Sequence, residues 1–127
     1  MTRWLVILLV ACGPKASKPK YDTAKLAREL HEDIQTLGAI AKQHRGNCPS
    51  LVAALRPHVD RMRAHADEVK RVQQDVELAK QLRKDVAAYD AEHKDLGEAI
   101  GSDLGASYQT CPDNKPLLEQ IDRIPEL

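Results

Sequence analysis

The sequence predicts an all-α fold, an up-down-up antiparallel bundle of three long helices with a short helix at the C-terminal end. Three observations predict it. Apolar and small residues recur at steps of three and four over most of the chain, the spacing that lines one face of a helix. No stretch shows the period-two alternation of β-branched residues that marks a strand. Aromatic residues make up 3% of the chain and Phe is absent. A core must therefore be built from Leu, Val, Ile and Ala, which suits helix-on-helix packing.

The first helix is expected from about 22 to 45. Asp22 and Thr23 are both suitable N-caps, and Leu26, Leu30, Ile34, Leu37 and Ala41 form one apolar stripe. His44 and Arg45 bring cations to the last turn, and Gly46 can adopt the positive φ that ends a helix. Cys48-Pro49-Ser50 opens the next helix, with Pro49 tolerated in the first turn. The stripe then runs through Leu51, Leu55, Val59, Met62, Ala66, Val69, Val72, Val76, Ala79, Leu82, Val86, Tyr89, His93, Leu96, Ile100 and Leu104. Pro57 falls inside it and is expected to kink the helix.

Local signals leave two shapes open over residues 51–104. No Gly or Pro lies between Pro57 and Gly97, so one long rod is allowed. The polar step Gln73-Gln74-Asp75 is the place where a turn would split it into the second and third arms of a bundle. Gly97, Gly101 and Gly105 share a stripe, which points either to close approach by another helix or to a weakened helix end. Cys111-Pro112-Asp113-Asn114 reads as a turn. A final helix over about 115–124 places Leu117, Leu118, Ile121 and Ile124 on one side.

The N-terminal stretch is of a different kind. Met1-Thr2-Arg3 supplies one positive charge, and Trp4 to Ala11 is an unbroken apolar run. As a helix it would rise about 12 Å, too little for a hydrocarbon core of about 30 Å, so it reads as a signal segment over 1–11. Leu9-Val10-Ala11-Cys12 resembles the lipobox of bacterial lipoproteins. That resemblance covers the first twelve residues and implies lipidation of the Cys12 thiol after cleavage before it. It also implies anchoring to the membrane by the N-terminal lipid, facing the periplasm. Gly13, in place of the aspartate that retains such proteins at the inner membrane, favours the outer membrane. Residues 12–21, with Pro and Lys among them, read as a solvated tether, and 22–127 as the helical domain.

With Cys12 carrying lipid, Cys48 and Cys111 remain as an even pair in an oxidising compartment, where a disulfide is expected. That bond favours the bundle over the rod, because helices turning near 73–75 bring Cys111 back to the end where Cys48 lies. The mature part also resembles small Cys-paired helical-bundle lipoproteins, in which Cys-Pro-Ser-Leu-Val-Ala-Ala-Leu opens a helix and a second Cys closes the domain. This resemblance brings no activity with it.

Lys+Arg and Asp+Glu are 19 each, leaving no surplus charge to neutralise phosphates, so no nucleic-acid partner is expected. Ser50, Ser102 and Ser107 sit in no nucleophile-elbow sequence. There is no phosphate-binding or dinucleotide motif. Acids with cations at i+4, such as Asp67–Arg71 and Asp90–Lys94, read as solvated helix surface. Catalysis is therefore not expected, and neither is a cofactor. One constellation invites a rival reading. His58, Met62 and His65 fall within about 60° of one helix face, a soft, imidazole-bearing set suited to copper or haem iron. In the bundle His58 is expected level with His93, and His31 with His65. The favoured expectation is a non-catalytic envelope lipoprotein, structural or engaging an envelope protein partner. The alternative is a small metal- or haem-binding bundle.

Overall fold

The structure, a computed structural model, describes residues 21–126. The signal segment, Cys12 and all but the last residue of the tether lie outside the described residues. Within them the chain is all-helical: α1 (Thr23–Gln43), α2 (Cys48–Val72), α3 (Val76–Ala87), α4 (Asp90–Thr110) and α5 (Lys115–Arg123). No strand occurs among the described residues, and none of these helices is long and apolar enough to cross a membrane.

Short polar side chains set most of the boundaries. The Asp22 carboxylate accepts from the Lys25 N–H at 2.9 Å and caps α1. Thr23 is then free for another use: it is buried, and its hydroxyl donates to Asp85 of α3 at 2.6 Å. Beyond α1, Gly46 takes φ +78°, the left-handed region, and its N–H donates to the Ser107 hydroxyl at 2.9 Å. Asn47 caps α2 and Asn114 caps α5, each accepting from an N–H three residues on, with Pro49 and Pro116 in the first turns. The α2 span runs from Cys48 to Val72 with Pro57 inside it.

The long stripe is cut twice. At the expected place α2 stops at Val72, and the Asp75 carboxylate restarts the chain by accepting from the N–H groups of Glu77 and Leu78. Residues 51–104 are therefore not one rod. The second break, at Ala88-Tyr89, replaces the single long third helix expected from the stripe by α3 and α4. There the N–H of Tyr89 bonds back to Val86 at 2.8 Å, a tightened last turn, and no side chain caps α4. Neither Gly nor Pro marks this break. It coincides with a tertiary contact, the Tyr89 ring stacked on His31.

Helix α1 packs on α2, α3 and α4, while α5 covers α2. Side chains gather into two apolar clusters. The larger joins Leu37, Leu51, Leu55, Val59, Met62, Ile100 and Leu117 beside Cys48. The smaller joins Leu26, Ala27, Leu30, Val72 and Leu82. Cys48 and Cys111 form a disulfide with Cα atoms 6.6 Å apart, tying the start of α2 to the end of α4.

One of the two readings of the glycine stripe falls away, and one expectation needs correction. Gly97, Gly101 and Gly105 face open space: a Cβ placed on any of them meets nothing within 4 Å, so no helix approaches that stripe. The close approach occurs at Gly38, whose missing Cβ would lie 3.5 Å from Ile100 Cγ1. Val76, expected on the apolar face, is 66% exposed because the restart at Asp75 turns the first residue of α3 outward.

Reduction of the Cys48–Cys111 bond should lower unfolding stability by about 4 kcal/mol, the loop-closure value for a 63-residue separation. On non-reducing electrophoresis the oxidised chain should run as a monomer, faster than the reduced one. Among the glycines, Gly97→Ala and Gly101→Ala should each stabilise by up to about 1 kcal/mol, since helix propensity improves with no contact to disturb. Gly46→Ala should destabilise by about 1 kcal/mol, because its backbone holds a positive φ. Urea midpoints of the single variants check each sign.

Candidate functional site

Between the two apolar clusters lies a band of polar side chains contributed by α1, α2 and α4. On α1, His31 and Asp33 fall between Leu30 and Leu37. On α2, His65 falls between Met62 and Val72. On α4, His93 follows the break at Tyr89. Asp33 and His31 are buried, at 1% and 6% exposure, a costly position for groups of this kind without partners.

Asp33 organises one half of the band. Its carboxylate accepts from His65 Nδ1 at 2.5 Å and lies 3.5 Å from Arg61 Nε. The second contact is long for a hydrogen bond and is Coulombic in character. His58 Nε2 donates to the Asp33 backbone carbonyl at 2.8 Å. A carbonyl can only accept, so this bond places a proton on His58 Nε2. Residues 58, 61 and 65 lie three and four apart on α2, which is why all three reach the same residue of α1. The sequence carried a signal for Asp33: it sits three residues after Leu30 and four before Leu37, within the apolar register of its own helix.

The other half is a stack of rings. His31 lies against Tyr89, with centroids 4.4 Å apart and planes 17° from parallel, and 4.8 Å from the His93 ring. His31 Nε2 is 3.4 Å from Glu92 Oε2, and Gln35 donates to the other oxygen of Glu92 at 3.2 Å. His31 Nδ1 and His93 Nε2 are buried nitrogens with no hydrogen-bond partner. Burial holds the His93 pKa below the ordinary value of 6.5, and the neighbouring His31 adds to the effect. Asp90 and Glu92 oppose it.

The residues singled out for metal or haem are taken up by other contacts. Met62 is a core side chain at 1% exposure. His58 and His65 are both committed to Asp33, and His93 stands on the ring stack. His31 meets the His93 ring, and His58 and His65 both reach Asp33, two residues along α1 from His31. Among the described residues no three His, Cys, Asp or Glu side chains gather as a metal site would need. Cys48 and Cys111 are bonded to each other and offer no thiolate.

The serines are similarly occupied. The Ser50 hydroxyl lies 3.2 Å from the Asn47 carbonyl and 2.9 Å from His44 Nδ1, closing the corner where α2 begins. Ser107 is fully buried and caps the Gly46 N–H.

The lowered His93 pKa predicts a pH dependence with a definite sign. The unfolded chain binds a proton there at a higher pH than the folded one. The stability tied to neutral His93 is therefore present above about pH 6.5 and is lost as pH falls through the folded-state value. Urea unfolding at pH 7.5 and at pH 5 should show this decline, and His93→Gln should make it shallower. Compared with known proteins, the chain matches no family model, no curated protein and no solved structure.

Proposed function

We propose that the protein is a non-catalytic envelope lipoprotein, a helical module held at the membrane by lipid on Cys12 and serving a structural or protein-interaction role. The observation that carries this reading is the disulfide. Such bonds persist in oxidising compartments and are rare in reducing ones, and this one consumes Cys48 and Cys111. Cys12 is the remaining cysteine of three, and it directly follows the apolar run Trp4–Ala11. The way several histidines and serines are used supports the non-catalytic part: His58 and His65 bond to Asp33, and Ser107 caps the Gly46 N–H.

The up-down-up course belongs to the same proposal. Contacts between α1 and the α3–α4 arm advance together, from Thr23 with Asp85 through Gln35 with Glu92 to Arg45 with Asp103. This supports a third arm parallel to α1, interrupted at Ala88-Tyr89, with α2 antiparallel between them in sequence. An oriented rod of that kind, tethered at one end, presents its side faces to whatever stands beside the membrane.

The test is metabolic labelling with a radioactive fatty acid in a bacterial host. The native chain should incorporate label and fractionate with membranes, and Cys12→Ser should lose the label and accumulate as precursor. Undiminished labelling of Cys12→Ser would overturn the anchor, since the thiol is the acceptor the lipobox resemblance implies.

A further inference from the structure

A groove of about 600 Å³ opens between α1, α2, α3 and α4, beside the ring stack. That volume lies within the range of small-ligand sites, which occur between the helices of bundles. Its walls are aliphatic: Leu30, Ile34, Val69, Ala79, Leu82 and Val86. No Phe, Tyr or Trp lines it, and methyl and methylene walls suit a flexible alkyl chain. Its rim is polar and asymmetric. Arg83 on α3 and Lys94 on α4 stand at the opening against one acid, Asp90. Both cations are exposed, and neither has an ion-pair partner among the described residues. His93 also lines the groove, and its buried Nε2 has no hydrogen-bond partner.

We propose that this groove binds a single-chain aliphatic carboxylate, a fatty acid, with the alkyl chain between the helices and the carboxylate at Arg83 and Lys94. The apolar walls supply the affinity, roughly 0.8 kcal/mol for each buried methylene. The two cations fix the end at which the charge sits, and the N–H of neutral His93 can complete the carboxylate's hydrogen bonds. A groove of this volume holds one ligand chain rather than presenting a flat face to a bilayer. The site stands on the helical domain alone and does not depend on lipid at Cys12.

Calorimetric titration of the full chain with laurate, kept below its micelle concentration, reads the proposal directly. Saturable binding with one site per chain is expected. Ala79→Trp, which puts a bulky ring into the groove, should abolish it. The double variant Arg83→Glu, Lys94→Glu changes exposed residues only and should fold normally. It should weaken laurate by roughly tenfold while leaving the uncharged analogue dodecanol unchanged. Circular dichroism verifies folding of each variant, and the charge variant alone decides the matter if Ala79→Trp does not fold. Absence of saturable laurate binding overturns the proposal. So does equal binding by the charge variant, or binding of anionic phospholipid vesicles without binding of laurate.

Discussion

The disulfide between Cys48 and Cys111 is the constraint that the rest of the structure answers to. With Cα atoms 6.6 Å apart it pins the first residue of α2 against the end of α4, across 63 positions of sequence. The chain leaving Cys48 must reverse once and come back, and Asp75 supplies the reversal by stopping one helix and capping the next. Local chemistry at the pinned end agrees with the bond. Gly46 turns out of α1 through a positive φ, and its N–H finds the Ser107 hydroxyl one turn before Cys111. The main-chain turn and the covalent link thus close the same corner. In the chain-entropy view the bond acts on the unfolded state, which explains how so aromatic-poor a core can suffice.

Buried polar groups oppose this stabilisation: Thr23, Ser107 and Gln120 each stand apart, while the ionisable ones are grouped. Asp33, His31 and His58 are all less than a tenth exposed, and all lie in the band between the two apolar clusters. Asp33 is met by His65 at one carboxylate oxygen, the other lies 3.5 Å from Arg61 without a hydrogen bond, and its carbonyl serves His58. Such a network stabilises little in net terms against an apolar replacement. Its effect is on register: a slide of α2 along α1 by one turn would part Asp33 from all three partners. The band therefore fixes the relative height of two helices whose Leu and Val surfaces would tolerate several.

What the sequence disclosed follows from how local each cause is. The cap at Asp22, the turn at Gly46 and the stop near Gln73 depend on residues within a few positions, and they were legible. The disulfide was legible from cysteine arithmetic joined to the lipobox resemblance. The break at Ala88-Tyr89 was not, because its visible correlate is a ring on α1, nearly sixty positions away. Which rings would touch was not legible from height alone: His31 meets His93, while His58 and His65 reach Asp33, two residues along α1. The glycine stripe misled because small residues permit close approach without requiring it, whereas Gly38 meets Ile100 across the helix pair that does touch.

The two ends of the molecule differ in a way that bears on the groove. The larger cluster lies beside the disulfide and receives α5 as a further cover. The smaller cluster lies toward the α2–α3 turn, with five buried residues and no cross-link among them. Ala79 faces the groove from α3 where a Leu or Phe would fill it, and with Phe absent from the whole chain no large ring is at hand to close the gap. A void in a well-packed core is expensive because its lining lacks contacts on one side, but a groove open to solvent costs less and can adjust. Regions with few buried apolar contacts are also those that open first. The unfilled space and the looser end therefore coincide, and the orphaned nitrogen of His93 sits on their common boundary.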